Sequence, residues 1–291
     1  MFKGSMVAIV TPFDREGRFD EEKYRELIEF QIENGTDVLV PCGTTGESAT
    51  LDYKEHDRVI QTCIDQVKKR VPVIAGTGSN STAEAIELSR HAKEMGADGV
   101  LLVSPYYNKP SQEGIYLHYK AIAEAVAIPQ VLYNVPSRTG MNMTAATTIR
   151  LAEFSNIVAI KEASGNVTQA GEILAAAGDK IDVLSGDDFL TLPLMAIGAK
   201  GIISVSANAI PGEVKAMVRA IDEGRWEEAR RMHLRLLEFH NTMFIESNPV
   251  PVKAALSLMG KCEAGVRLPL APLSSGSLET LNAMMKKYEL I

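Results

Sequence analysis

One lysine stands at the end of a short apolar segment, where a charged side chain is unusual. The segment runs from Ile157 to Ile160 and is followed by Lys161 and Glu162. In a strand, Lys161 would share a face with Ile157 and Ala159, and Glu162 would point to the other face. Burial of an ammonium favours the neutral amine, which is a nucleophile towards carbonyl carbons. The alternative is a lysine that extends to solvent from a strand end.

A glycine-rich turn with two threonines follows another apolar segment. It reads Gly43-Thr44-Thr45-Gly46-Glu47. Thr44 and Glu47 have the spacing of a capping box, which predicts that a helix begins here. Hydroxyls and backbone N–H groups at a helix start also bind carboxylates. The turn is therefore a helix cap alone or a site for a carboxylate substrate.

Phenols and a guanidinium follow two further apolar segments. Tyr133 closes one of them and Arg138 comes shortly after it, while Tyr106 and Tyr107 follow the other. A tyrosine can carry a proton, and an arginine can bind a carboxylate through two N–H groups. The alternative for the tyrosines is aromatic packing, and the alternative for the arginine is a solvated charge in a loop.

The apolar segments alternate with amphipathic stretches, a rhythm that predicts repeated βα units. Eight such units within about 210 residues match a closed (β/α)8 TIM barrel of class α/β. An open, doubly wound sheet is disfavoured because no glycine fingerprint follows the first segment. We expect the barrel over residues 1–220 and a C-terminal helical appendage over 221–291. The candidate strands are Met6–Val10, Asp37–Val40, Val71–Ile74, Gly99–Ser104, Gln130–Tyr133, Ile157–Lys161, Asp182–Ser185 and Gly201–Val205.

The carboxyl ends of barrel strands meet at one mouth, so the lysine, threonines, tyrosines and arginine should converge there. This set of groups suits imine formation with a keto acid. The lysine would attack the carbonyl carbon, and the threonine turn would bind the carboxylate. A tyrosine would transfer the protons, and the arginine would bind a second anionic substrate.

Composition excludes several other classes of protein. The net charge of −7 and the absence of a basic stripe argue against nucleic acid as a partner. No apolar segment is long enough to span a membrane, and no signal pattern opens the chain, so a soluble, cytoplasmic protein is expected. Cys42, Cys63 and Cys262 are far apart, and the histidines lack metal-site spacing, so neither a disulfide, a metal nor a cofactor is expected.

These motifs together resemble the dihydrodipicolinate synthase / N-acetylneuraminate lyase family over essentially the whole chain. The motifs that carry the resemblance are the threonine turn, the segment from Tyr133 to Gly140, and Lys161 with the Glu162-Ala163-Ser164-Gly165 that follows. The resemblance implies that Lys161 forms an imine with pyruvate, and that its enamine attacks the aldehyde of (S)-aspartate 4-semialdehyde.

The same resemblance implies roles for individual residues. Thr44, Tyr133 and Tyr107 would form a proton relay, with Tyr107 reaching a neighbouring subunit's site in a homotetramer. Thr45 would bind the pyruvate carboxylate and Arg138 that of the semialdehyde. Main-chain groups of Gly186 and Ile203, at the ends of the seventh and eighth strands, would line the pocket.

Feedback inhibition by L-lysine is a further expectation from the resemblance. Glu84 also has capping-box spacing from Ser81, so a helix start is the alternative for that residue. Tyr53 stands where some inhibited members carry histidine, which leaves the strength of inhibition open. The matching positions are Ser48, Ala49, His56, Asn80, Glu84 and Tyr106.

Two other functions are compatible with parts of the pattern. A sugar-acid aldolase or lyase would use the same imine, but Arg138 counts against it because sialic-acid lyases lack an arginine in this loop. A barrel that only binds ligands is disfavoured because a buried lysine is costly to retain without a function.

Overall fold

The computed structural model describes residues 1–291 and has eight strands and twelve α-helices, the last four of which follow the final strand. The strands are β1 (Gly4–Ala8), β2 (Val38–Val40), β3 (Ile74–Gly76), β4 (Gly99–Val103), β5 (Gln130–Asn134), β6 (Ile157–Glu162), β7 (Asp182–Ser185) and β8 (Gly201–Ser204). The helices are α1 (Glu21–Glu33), α2 (Tyr53–Val67), α3 (Thr82–Met95), α4 (Gln112–Ala125), α5 (Pro136–Thr139), α6 (Ala145–Leu151), α7 (Val167–Ala177), α8 (Thr191–Ala196), α9 (Pro211–Asp222), α10 (Trp226–Thr242), α11 (Val250–Leu258) and α12 (Ser275–Lys287).

The strands form one parallel ring. Their order around it is β2-β1-β8-β7-β6-β5-β4-β3. A bridge between Leu39 and Val73 joins the two ends, and the Leu39 N–H donates to the Pro72 carbonyl at 3.1 Å. The predicted (β/α)8 barrel is therefore confirmed.

Buried side chains form two clusters on opposite sides of the strands. The smaller cluster, of 14 residues, draws on every strand and fills the barrel interior, whereas the larger one, of 62, lies between strands and helices. Burial on both faces explains why the strand segments are almost continuously apolar.

One of the two residues predicted to share a face of β6 with Lys161 lies on the other face. Ala159 belongs to the interior cluster, but Ile157 belongs to the outer one. The register of β5 against β6 shifts here, since Gln130 pairs with Ile157 and Val131 already pairs with Ala159. A bulge of this kind adds one residue to a strand and reverses the alternation before it. The prediction for Ile157 was wrong, while Ala159 and Lys161 do share a face.

Strand bounds agree with the prediction to within three residues. Strand β7 has the predicted bounds, whereas β3 begins at Ile74 and not at Val71. Pro72 explains the later start, because proline has no N–H to donate to a sheet.

Helices follow the barrel, as predicted, and α9 ends at Asp222. Helix α11 begins directly after Pro249 and has Pro251 in its first turn, where proline is well tolerated. The division of the chain at residue 220 stays a prediction. No helix has both the length and the apolar character needed to cross a membrane.

Candidate active site

A cavity of about 570 Å³ opens at the carboxyl ends of the strands. Six of the predicted site residues line it together, although they come from four separate parts of the barrel. The convergence expected from the strand ends is therefore present in the structure. These six are Thr44, Thr45, Tyr133, Arg138, Lys161 and Gly186.

Lys161 extends from the end of β6 into this cavity and is 4% exposed. Its Nζ lies 4.3 Å from the centroid of the Tyr133 ring. Burial lowers the pKa of Lys161 to about 8, although the charges of Asp187 and Asp188 oppose the change. About one amine in eleven is therefore neutral at pH 7, far more than for an ordinary lysine, and the neutral amine is the nucleophile for carbonyls.

Gly186 leaves room for the lysine side chain. A Cβ at this position would lie 2.6 Å from the Ala163 Cβ and 3.2 Å from the Lys161 Cε. The Gly186 N–H also donates to the Glu162 carbonyl at 2.7 Å, which holds the two strand ends together. Any larger residue would displace either the strand end or the lysine.

Tyr133 is the direct partner of Lys161 in the register of β5 and β6. Burial raises the pKa of Tyr133 to about 12, even though Arg138 and the Thr44 hydroxyl act in the opposite direction. The phenol therefore keeps its proton at neutral pH, and it can donate that proton to an oxygen held near Lys161.

The threonine turn is not the start of a helix, so the capping-box prediction was wrong. Glu47 has a left-handed backbone with φ of 53°, and α2 begins only at Tyr53, capped by Asp52. The Glu47 carboxylate accepts instead from Lys253 Nζ at 2.7 Å and from the Arg267 N–H at 3.0 Å. An unpaired buried ammonium costs more free energy than an uncapped helix end. The Glu47 carboxylate therefore pairs with Lys253 and does not cap a helix.

The turn packs closely against β3. A Cβ on Gly76 would lie 2.1 Å from the Cys42 carbonyl oxygen, so only glycine permits this approach. The Thr11 hydroxyl donates to the Gly46 carbonyl at 2.7 Å from the other side. Both contacts fix the backbone that presents Thr44 and Thr45 to the cavity.

The segment before α11 completes the cavity wall. The Asn248 side-chain N–H donates to the Thr45 hydroxyl at 3.0 Å, and the Asn248 carbonyl accepts from Arg138 at 3.2 Å. Asn248 thus connects the two groups expected to bind the two substrate carboxylates. Sequence reasoning missed it, along with Phe244 and Glu246, which also line the cavity.

Asp187 is another residue that sequence reasoning missed. It lines the cavity, and burial raises its pKa to about 6 while the Lys161 charge acts against that rise. Its position directly after Gly186, at a barrel strand end, was a signal that could have identified it.

Two predicted site residues do not line this cavity. Tyr107 is 88% exposed and has φ of 72°, whereas Ile203 is completely buried in the barrel interior. The role expected for Tyr107 is in a neighbouring subunit's site, and it remains a prediction, as does the role of the Ile203 main chain.

Some of the residues predicted to bind lysine are in contact. The Asn80 side chain donates to the Tyr106 carbonyl at 3.1 Å. The Glu84 carboxylate accepts from the Tyr53 hydroxyl at 2.7 Å and from the Ser79 hydroxyl at 2.6 Å.

The other residues predicted to bind lysine lie on α2, on α3 and in a short helix after the threonine turn. Ser81 does cap α3, but the Glu84 side chain does not return to the cap, so only half of the capping box forms. His56 is buried on α2 and contacts the Gly76 carbonyl at 2.8 Å. Ser48 and Ala49 lie in a 3₁₀-helix, Ser48–Thr50.

Comparison with known proteins identifies relatives along the whole chain. The model of the dihydrodipicolinate synthetase family matches residues 1–288. The 4-hydroxy-tetrahydrodipicolinate synthase of Syntrophotalea carbinolica is 69% identical, with 100% of this chain and 99% of that protein covered.

Two solved structures have nearly the same fold. The chloride-inhibited dihydrodipicolinate synthase of Acinetobacter baumannii, solved with pyruvate, has a TM-score of 0.98 and 47% identity, with 100% of each chain covered. The enzyme of Cyanidioschyzon merolae, solved with lysine bound, has a TM-score of 0.97 and 43% identity, with 100% of this chain and 99% of that chain covered. The chain belongs to the dihydrodipicolinate synthetase family.

Proposed function

We propose that this chain condenses pyruvate with (S)-aspartate 4-semialdehyde to give 4-hydroxy-tetrahydrodipicolinate, in the pathway to diaminopimelate and lysine. The activity is the one that the name of its 69% identical relative states. The observation that carries the proposal is Lys161, buried in the cavity with a pKa lowered to about 8 and placed over the Tyr133 ring. The enzyme is thus a lyase of the Schiff-base aldolase type.

The first half of the reaction forms the imine. The neutral Lys161 amine attacks the carbonyl carbon of pyruvate, and the resulting carbinolamine loses its hydroxyl as water. Tyr133, the one tyrosine that lines the cavity, supplies a proton to the departing oxygen, with Thr44 and a neighbour's Tyr107 continuing the relay. Thr45 holds the pyruvate carboxylate through its hydroxyl and backbone N–H.

The second half joins the two substrates. Loss of a proton from the methyl carbon of the imine gives an enamine, and that carbon forms a bond to the aldehyde carbon of the semialdehyde. The substrate amine then attacks the imine carbon, closes the ring and releases Lys161 as the free amine. Arg138 holds the semialdehyde carboxylate, and main-chain groups of Gly186 and Ile203 line the pocket.

This mechanism needs no metal or separate cofactor, because the imine itself withdraws the electrons. We place the enzyme in the cytoplasm, as a homotetramer in which neighbours exchange Tyr107. A barrel over 1–220 with an appended helical region over 221–291 is part of the same proposal.

Inhibition by L-lysine is a finer proposal, supported by the relative that was solved with lysine bound. The ligand would contact Ser48, Ala49, His56, Asn80, Glu84 and Tyr106. Glu84 offers the carboxylate for the ligand's ammonium, and it is already oriented by Ser79 and Tyr53. Replacing Glu84→Ala should abolish inhibition without reducing uninhibited turnover, and unchanged inhibition would contradict this assignment.

The decisive assay for the reaction follows pyruvate consumption with three aldehydes in parallel: aspartate semialdehyde, N-acetylmannosamine and glyceraldehyde. We expect consumption with the semialdehyde alone, and none by Lys161→Ala. Preference for either other aldehyde would keep the imine mechanism but replace the proposed substrate with that of a sugar-acid aldolase.

A further inference from the structure

Glu162 is a carboxylate buried directly behind the catalytic lysine, and the reaction does not use it. Its side chain is on the opposite face of β6 and the residue is 2% exposed. In the register of the two strands, Tyr133 pairs with Lys161 and Asn134 pairs with Glu162. One pair therefore faces the cavity, and the adjacent pair faces the layer between strands and helices.

Amide groups satisfy this buried charge without a lysine or arginine. One carboxylate oxygen accepts from the Ser164 backbone N–H at 2.7 Å, and the other accepts from the Gln169 side chain at 3.0 Å. The Asn134 side chain donates to both oxygens at 3.2 Å. Hydrogen bonds to an ionised acceptor are about twice as strong as neutral ones, so the carboxylate binds three separate segments together.

A second set of contacts fixes the direction of each donor. The Asn134 side-chain oxygen accepts from the Met143 N–H at 2.9 Å, and its nitrogen also donates to the Asn142 side chain at 2.8 Å. The Gln169 oxygen accepts from Asn142 at 2.8 Å. Because both amides already use their oxygens elsewhere, they present only N–H groups to Glu162. An amide in place of this carboxylate would set one donor against another.

The network reaches the reacting groups along three routes. Asn134 is adjacent to Tyr133 on β5, and Glu162 is adjacent to Lys161 on β6. Ser164, whose N–H the carboxylate binds, lines the cavity itself. A change at Glu162 therefore alters the relative position of the amine, the phenol and one wall of the cavity.

We propose that Glu162 is a positioning residue, which clamps β5, β6 and the Ser164 turn so that the Lys161 amine faces the Tyr133 phenol during imine formation. This inference rests on the proposed imine chemistry and adds the requirement that Glu162 hold the amine and the phenol in position. The motif that follows the lysine is explained by the same contacts, since Glu162 and Ser164 form the clamp.

The test compares Glu162→Gln and Glu162→Asp with a matched control, Gln130→Met. Gln130 is a completely buried polar residue on the same strand pair, but at the other end of β5, where it donates to the Ile122 and Val126 carbonyls at 3.4 and 3.2 Å. The readout is the rate at which pyruvate alone becomes fixed to the protein on reduction with borohydride, measured beside kcat, KM and the thermal midpoint.

We expect Glu162→Gln to slow fixation and kcat by about 100-fold, the order of loss that follows a displacement of about 1 Å between reacting groups. The KM for the semialdehyde should change little, because Arg138 lies outside the clamp. Glu162→Asp should recover part of the rate. The control should lose stability and keep its rate of fixation.

Three results would overturn the proposal: fixation at the parent rate by Glu162→Gln, an equal loss of rate in the control, or no recovery by Glu162→Asp. If Glu162→Gln does not fold, Gln169→Met decides, because it keeps the Glu162 carboxylate and removes one of the donors to it. That variant must fix pyruvate more slowly than the control, and an equal rate would refute the clamp. Failure of the unaltered protein to fix pyruvate would refute the imine mechanism itself, so the two failures are distinguishable.

Discussion

The charge of Asp187 should control how much of the Lys161 amine is neutral. Both residues line the cavity, and Asp187 acts to raise the lysine pKa while burial lowers it to about 8. Asp187 itself has a pKa raised to about 6 by burial, so it is ionised at pH 7. Replacing Asp187→Asn removes a negative charge that favours the ammonium, and the pKa of Lys161 must then fall below 8.

The size of the effect follows from the fraction of neutral amine. With a pKa of about 8, about one lysine in eleven is neutral at pH 7, compared with about one in 3000 for an ordinary lysine at 10.5. Asp187→Asn can therefore accelerate imine formation at pH 7 by at most about 11-fold, the point at which every amine is neutral. At about pH 9 or above, the amine is already mostly neutral, and the acceleration should disappear.

The assay mixes protein with pyruvate, quenches with borohydride at short times and follows the reduced adduct from about pH 6 to pH 10. The unaltered protein should gain tenfold per pH unit below its pKa and then level off near pH 8. Asp187→Asn should level off at a lower pH and at the same height.

Asp182→Asn serves as the control for this experiment. It removes a carboxylate from β7 at the end of the strand far from Asp187, where Asp182 pairs with the chain's amino terminus at 3.0 Å. Its pH profile should match that of the unaltered protein. A plateau reached only near pH 10.5, or an Asp187→Asn profile that is unshifted or moved to higher pH, would refute the reasoning.

Three other changes have defined outcomes. Glu47→Gln or Lys253→Met alone should lower the free energy of unfolding, measured in urea, by about 3–5 kcal/mol, because each leaves a buried charged partner uncompensated. The double variant should lose less than the sum of the two single losses. Additive losses would show that the two ions are uncoupled. Arg138→Lys keeps the charge but loses the planar fork, so the semialdehyde KM should rise roughly 10- to 100-fold, with pyruvate fixation unchanged. Tyr133→Phe should lower kcat by about 10²- to 10⁴-fold in steady-state assays while circular dichroism stays the same, and a loss under tenfold would exclude it as a proton carrier.

Much of the fold was predictable because the spacing of apolar residues along the sequence indicates which segments are buried. All eight strands were located, and β7 has the predicted bounds. The errors arise where backbone chemistry overrides hydrophobicity. Pro72 delays the start of β3, and the bulge beside Val158 turns Ile157 to the outer cluster. Neither the register of neighbouring strands nor a bulge can be obtained from the pattern of one strand.

The part of the site that follows strand ends was also predictable, because parallel strands bring their ends to one mouth. Residues after the barrel were not, since no local pattern places them. Asn248 contacts Thr45 across 203 positions of sequence, and Lys253 reaches Glu47 across 206. The left-handed Glu47 and its buried partner also explain why a capping-box spacing failed to produce a helix.

The most direct test of the account is to identify the residue that pyruvate modifies. Protein reduced with borohydride in the presence of pyruvate alone would be digested, and its peptides sequenced by mass spectrometry. A single reduced pyruvyl adduct on Lys161, absent from Lys161→Ala together with all turnover, is the predicted result. An adduct on another lysine, or continued condensation by Lys161→Ala, would contradict the central claim.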